Sequence, residues 1–594
     1  MAGKDQREYP GRHTAPPTKR QRAKRPLAVL VVFVLVAAAA AVGVSFWPKG
    51  GGWPKSGIHG IWHSLTAGSH KHPTAKGSGP APTASGAAAQ GGKAQGGKAQ
   101  GGKPQTGPGA PSGPAGVTAS WVKAENAKQG TSAWIIPQHQ SGAPIEGYAD
   151  HVSASAGATV NVYVNTTAPK FHIEAYRLGY YGGAGGRLVW TSPEMDGVPQ
   201  APCPVTTGTN MVECDWIAPV SVPISSAWVQ GDYFLDLVAD PGQRNYVPLT
   251  VIDPASHATY LIDNSVFTWE AWNPYGGDSL FGPTDSSSPT APERSRVVSY
   301  DRPYAYAWGG GDGSADFLGI EYPFVRYAEQ HGLDIAYLTD IDLTEQPQLA
   351  SNHKVVISLG HNEFWSAAER QGALAARDKG VNLMFLGATP ALRPARLQPS
   401  ALGPDRELVD YRNAEEDPIS TVDPALATAN SWSVPPLSHP PSQFVGNTYG
   451  GYGIHAAMVV VNPTAWPFAG LGLSNGSQIP AVIGGDYDRY QSTAGQPTDI
   501  EILAHSPVMT SYGHHDTADM IYYSAPSGAG VFSTGTIAWI PSLTPCGPVS
   551  PACAAPLVQG ITGNVLSLFG QGPAGRLQPS TSNVTDFYAG GSGL

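Results

Sequence analysis

At 594 residues the chain exceeds what one hydrophobic core can organise, so it holds more than one folded unit. Charged residues are only 13%, with 72 Gly and 55 Pro, which points to loop-rich, β-rich domains beside a low-complexity stretch. The net charge is −10 although the first 26 residues carry Lys4, Arg7, Arg12, Lys19, Arg20, Arg22, Lys24 and Arg25 against only Asp5 and Glu8; the remaining body is acidic, which excludes nucleic acid as a partner, because phosphate recognition needs a basic footprint.

Residues 1–26 read as a basic cytoplasmic tail. Leu27–Trp47 has no charge and is rich in Val, Ala and Leu, long enough to cross a bilayer core of ~30 Å as a single transmembrane helix. The basic cluster ahead of it places the N-terminus in the cytoplasm and the folded chain outside, anchored in the cell membrane. A cleaved signal peptide is the other reading, with Ala37–Ala41 near its cleavage site, but the run is long and ends in the interfacial residues Phe46 and Trp47. Residues 48–117, with the near-repeat AQGGKAQGGKAQGGKPQ, cannot bury enough apolar surface to order themselves and read as a disordered linker. Its lysines offer contacts to an anionic cell-wall polymer.

From 118 to 255 short alternating runs, Val160–Val164, Phe171–Tyr176, Arg187–Trp190 and Gly231–Val238, separated by turn residues, indicate an all-β sandwich domain. The glycine-rich stretch at 179–186 lacks the Lys-Ser or Lys-Thr of a phosphate loop and reads as a wide turn. Cys203 with Cys214, and Cys546 with Cys553, form two local pairs without metal-ligand spacing, so outside the membrane they read as disulfides.

From 256 to 575 the period changes. Strands are expected at Ala258–Asp263, Leu333–Tyr337, Lys354–Leu359 and Gly380–Leu386, with helices at 317–332 and from Ser366 to about Lys379. Ser366 and Glu369 make a capping box, and Gly332 and Gly380 are stops. Strand–helix–strand order implies a doubly wound, mostly parallel α/β domain, followed by a tail at 576–594. In such sheets ligands bind beyond the carboxyl ends of the strands. Gly360-His-Asn-Glu-Phe-Trp-Ser366 leaves a strand end just ahead of a helix, which nominates His361 and Glu363 as catalytic residues. The bland reading of Glu363 is a loop carboxylate bonded to backbone N–H groups. No G-x-S-x-G elbow occurs here, so serine nucleophile chemistry has no support. Asp486, Asp488 and Arg489 read as an ion pair holding a turn, or as cleft residues. His514, His515 and Asp516 read as a surface loop, and His439, His455 and His505 as structural. Trp269, Trp272, Tyr275 and Trp308 would flank the cleft as exposed aromatics, the kind of platform on which sugars stack, although core packing accounts for such residues equally well.

Several motifs in order, Thr268-Trp-Glu-Ala-Trp-Asn273 with Gly276-Gly277, Asp301-Arg-Pro-Tyr304, Glu321-Tyr-Pro-Phe324, Thr339-Asp-Ile-Asp-Leu343, Gly360–Ser366, Gly485-Asp-Tyr-Asp-Arg489 and Thr534-Gly-Thr-Ile-Ala-Trp539, carry a resemblance to the C-terminal domain family of the N,N-dimethylformamidase beta (large) subunit. The glycine-rich Tyr176–Gly186 resembles the β-domain that precedes it in relatives. The resemblance implies an amidase holding one iron through two Tyr and one Glu, a hard oxygen donor set suited to a Lewis-acidic ferric ion. Carried over, Glu363 is the carboxylate and Tyr304 one phenol, with Tyr306 as near in sequence. The other phenol is expected within 268–273, where this chain has Trp269 and Trp272, and Tyr275 is the nearest substitute. The implied function is a membrane-anchored extracytoplasmic hydrolase of an amide or related C–N bond, with Tyr304, Glu363 and Tyr275 as metal ligands; the alternative is a non-catalytic cell-wall or glycan-binding protein on the same scaffold.

Overall fold

The computed structural model describes residues 116–136, 144–240, 242–277, 279–282, 294–305, 316–452, 455–545 and 553–588. The tail at 1–26, the apolar run at 27–47, nearly all of 48–117, and Tyr306, Trp308 and Cys546 lie outside them. Among the described residues no helix is long and apolar enough to cross a membrane. The described chain is a mixed, sheet-rich α/β structure with several sheets and few helices.

The N-terminal part consists of two sheets that share one core. Ile145–Ala149, Thr159–Thr166 and Val220–Pro223 form a three-stranded antiparallel sheet. Opposite it, Ser153–Ser155, Gln243–Ile252, Gly231–Ala239, Lys170–Leu178 and Gly186–Thr191 run in that order, with Met195–Asp196 at the side. Alternation decides which side chains face inward. Val160, Val162 and Val164 from one sheet meet Phe171, Ile173, Leu235, Leu237, Val247 and Leu249 from the other. Strand 231–239 is buried on both faces, because the outward Phe234, with Tyr176 and Tyr246, packs against Phe317 and Tyr322 of the next part of the chain. At the same junction Arg177 pairs with Glu329 at 2.6 Å, both fully buried. Cys203 and Cys214 are bridged, with their Cα atoms 4.4 Å apart, and Cys553 is also disulfide-bonded.

The second part is built on a seven-stranded sheet. Its spatial order is Ile335–Thr339, Tyr260–Asn264, Val355–Gly360, Asn382–Gly387, Gly530–Ser533, His515–Ser524 and Glu501–Met509. The first five strands are parallel and the last two antiparallel. Numbered along the chain, the parallel strands stand 2-1-3-4-5, so winding reverses between strands 260–264 and 355–360, the place where such sheets open a crevice. The parallel strands read as continuous apolar runs because both faces are covered. Tyr260, Ile262, Ile335 and Ile357 face Phe324, Val325 and Ala328 of helix Tyr322–His331 and Ile561 and Val565 of helix Ala555–Phe569. Leu261, Ala336, Val356 and Leu383 face Ala373 and Ala376 of helix Ala367–Asp378. That helix starts with the capping box expected, Ser366 accepting from the Glu369 N–H and Glu369 from that of Ser366. Helix 322–331 stops at Gly332, whose φ of 64° suits glycine. Its expected first turns instead form a π-helical segment, Phe317–Glu321.

A smaller sheet, Val297–Ser299, Glu407–Val409, Arg393–Gln398 and Phe364–Ser366, stands beside the crevice. The last described residues are folded onto the domain rather than forming a loose tail: the Tyr588 hydroxyl donates to Asp519 at 2.5 Å, and Phe587 stacks on His505.

Candidate functional site

The crevice is shaped first by glycine. Gly360 ends its strand at φ 53°, and a Cβ there would meet the Ile320 carbonyl oxygen at 2.6 Å. Its parallel partner Gly387 approaches still closer, a Cβ on it falling 1.8 Å from the Gly360 oxygen. Only glycine allows these two strand ends to meet. The chain then presents His361, Asn362 and Glu363, all buried. Glu363 is fixed by its backbone: its N–H donates to Thr268 Oγ1 at 3.0 Å, and its carbonyl accepts from the Arg393 N–H at 2.9 Å.

The charges are then arranged round Glu363. Arg393 Nε donates to Glu363 Oε1 at 2.6 Å. The other oxygen, Oε2, has no hydrogen-bond partner and lies 3.4 Å from His361 Nε2, which is also 3.7 Å from Asp486 Oδ2. Burial pushes Glu363 up, but Arg393 and His361 outweigh it and hold its carboxyl at about 2. Burial pushes His361 down, but Glu363, Asp316 and Asp486 outweigh it and raise it to about 9. The site therefore holds an imidazolium beside a carboxylate at neutral pH. Asp488, buried and pushed up to about 7 chiefly by that burial, donates nothing and accepts from the Thr389 N–H at 2.9 Å, leaving its Oδ2 unpartnered. Thr389 is held at φ 60°, a strained backbone for a β-branched residue. So Asp486 and Asp488 line the crevice; of this trio only Arg489 makes the outward ion pair, at 3.1 Å to Asp516.

Among the described residues, Trp269, Trp272 and Tyr275 are each engaged in packing or hydrogen bonds rather than set out as an open platform. Trp269 is buried and its indole N–H donates to Glu321 at 2.8 Å. Trp272 stacks on Phe281 with centroids 3.7 Å apart and stands 5.5 Å from the His361 ring; its buried indole N–H has no partner. Tyr275 donates to Glu146 of strand Ile145–Ala149 at 2.9 Å and packs with Tyr148, Cys214 and Trp216. Tyr304 packs at the edge of the main core, its phenol held well above the ordinary range by burial and then by Glu270. Thus His361 and Glu363 are brought together, whereas no hydrogen bond or ring contact among the described residues joins Tyr304 or Tyr275 to Glu363. Tyr275 is committed to Glu146, and the segment expected to supply the second phenol carries Trp269 and Trp272, whose indoles are not iron ligands. The phenol whose proton feels Glu363 is Tyr449, held above its usual range by burial, then Asp486 and Glu363.

Among the described residues one group of carboxylates has the spacing of a metal site: Asp263, Asp340 and Glu369, all buried, with ligand oxygens within 4.8 Å of one another. It adjoins Glu363 through Asn362, which donates to Asp263 at 2.9 Å.

Arg393, Arg412, Tyr449 and Asp316 are absent from the sequence-derived site. They come from separate segments with no motif of their own; strand pairing brings in Arg393, since Phe364 stands in parallel register with it.

The profile described as "N,N-dimethylformamidase beta subunit-like, C-terminal" matches residues 172–553, beginning inside the β-rich part and running through the whole crevice. The N,N-dimethylformamidase beta subunit of Paracoccus aminophilus is 22% identical over 407 aligned residues, covering 56% of this chain. The chain spans 52% of that relative's length. Among solved structures, a cycloisomaltooligosaccharide glucanotransferase from Paenibacillus sp. shares 11% identity over 46% of this chain and 34% of its own, with a TM-score of 0.13, a likeness too slight to carry an argument.

Proposed function

Because the chain belongs to the N,N-dimethylformamidase beta subunit-like, C-terminal family, we propose that it is a hydrolase of an amide or related C–N bond, with His361 and Glu363 as its catalytic pair. The observation that carries this reading is the pair itself: an imidazolium and a carboxylate 3.4 Å apart, buried where the strand order reverses. A carboxyl held at about 2 is a weak proton acceptor, so Glu363 serves to hold and orient the attacking water through its unpartnered Oε2. His361, charged until about pH 9, delivers the proton that the departing nitrogen needs and, once neutral, takes up the proton that the attacking water gives up, which restores the imidazolium. The unpartnered indole N–H of Trp272 beside it is a donor for the carbonyl oxygen. The uncharged run at 27–47 behind its basic tail supports, as part of the same proposal, an anchored chain that presents this site outside the membrane.

The test is amine release from N,N-dimethylformamide and a panel of small amides by the purified full-length chain, with Glu363→Gln and His361→Asn alongside. Hydrolysis by the wild type that both substitutions abolish, with folding intact, supports the reading. Hydrolysis that survives Glu363→Gln refutes it, and amide binding without any release by the wild type leaves the non-catalytic scaffold.

A further inference from the structure

We infer that Arg412 forms an anion subsite beside Glu363, so that the substrate carries a carboxylate or an equivalent oxyanion near the bond that is broken. The inference rests on the reading of His361 and Glu363 as the reacting centre. Arg412 is buried, and neither Nη1 nor Nη2 has a hydrogen-bond partner. Among the described residues its side chain makes one polar contact, a long one, Nε to Asp410 Oδ2 at 3.4 Å. A guanidinium carries five donors in a fixed fork and is charged at neutral pH, so an interior guanidinium with both ends of the fork empty is a strongly unfavourable arrangement unless something fills it.

The neighbours do not fill it. Arg393 is committed to Glu363 and, through Nη1, to Asn430. Asp410 is shared, its carboxyl being acted on by Arg412, Arg393 and Arg294 after the effect of burial. Burial, then Arg393, pushes the Arg412 guanidinium down to about 9, which records the same shortage of negative charge. The backbone at Arg412 is held at φ 54°, a left-handed conformation that non-glycine residues rarely adopt, fixed by its N–H donating to Asp410 Oδ1 at 2.9 Å.

Position ties this fork to the reacting centre. Arg412 Cζ lies 3.9 Å from the centroid of Phe281, which stacks on Trp272 at 3.7 Å, and Trp272 adjoins His361. Arg412 is also among the charges that lower Glu363. A planar carboxylate matches the open fork, and a bidentate pair is the strongest hydrogen-bonded arrangement open to it. The excess positive charge would hold the anion while Glu363, tied to Arg393, stays free of it.

The experiment compares N-acetylglycine with its neutral counterpart N-acetylglycinamide as probes, by calorimetric titration of the full-length chain, its Arg412→Met variant and its Arg412→Lys variant. The wild type should prefer the carboxylate by roughly tenfold or more, the difference a charge-assisted pair makes. Arg412→Met should lose that preference, and Arg412→Lys, which keeps the charge without the fork, should retain only part of it. Equal binding of the two probes by the wild type overturns the inference, as does an undiminished preference in either variant. Should Arg412→Met fail to fold, Arg412→Lys decides alone. A carboxylate preference without any hydrolysis would uphold the anion subsite and sink the hydrolase reading; hydrolysis of neutral amides with no such preference would do the reverse.

Discussion

His361→Asn tests the electrostatics at the centre of the site through the pH dependence of stability. In the wild type His361 is raised from its ordinary 6.5 to about 9, because Glu363, Asp316 and Asp486 outweigh its burial. Below 6.5 the folded and unfolded chains both hold the proton, and the stabilisation is complete. Between 6.5 and about 9 only the folded chain keeps it, so stability falls as pH rises, and above that the contribution is gone. The displacement corresponds to about 3 kcal/mol. The part of the lowering of Glu363 that His361 causes, after that of Arg393, expresses the same interaction and is not added to it. For a folded unit of this size that amounts to a melting-point change of roughly 5 °C. Melting temperatures of wild type and His361→Asn are measured side by side from about pH 6 to about pH 10, where groups common to both cancel. The asparagine adds its own constant offset, so the readout is the slope: the wild-type advantage should shrink by roughly 5 °C across the window. Parallel curves would refute an imidazolium at this position, and with it the assignment of His361 as proton donor.

The junction between the β-rich part and the α/β part gives a second prediction. Arg177 and Glu329 are both fully buried and 2.6 Å apart, so Arg177→Ala leaves an uncompensated carboxylate and should cost about 3–5 kcal/mol by denaturant unfolding, whereas a loss below about 1 kcal/mol would show that the pair is not desolvated. A third concerns the three carboxylates at 263, 340 and 369. Burial first, then neighbouring acids, raises Asp340, so its ionisation destabilises the fold increasingly as pH climbs above the ordinary carboxyl range. Asp340→Asn should therefore raise the melting temperature at about pH 8 and change it little at about pH 4; a fall at pH 8, matched by chelator treatment of the wild type, would mean that a cation rather than bound protons neutralises the group.

The same physical rules explain why half of the site could be read from the sequence. Glu363 is legible because an apolar strand, a glycine and three polar residues run straight into a capping box, and local order alone sets that pattern. Its counter-charge is not legible. The resemblance pairs Glu363 with phenols from 304 and 275, but the side chain in contact is Arg393, delivered by the parallel pairing of Phe364–Ser366 with Arg393–Gln398. The next strand of that small sheet, Glu407–Val409, pairs with Arg393–Gln398 and leads directly to Arg412. Asp486 and Asp488 arrive from another strand again. Short strands such as these carry too little periodicity to announce themselves, so the cations that set the protonation of Glu363 are invisible until the sheet is assembled. What distinguishes this crevice is therefore its electrostatic setting. One motif places a carboxylate and an imidazole, and two short strands from further along the chain, Arg393–Gln398 and Glu407–Val409, decide that the carboxylate stays ionised and the open fork of Arg412 stays beside it.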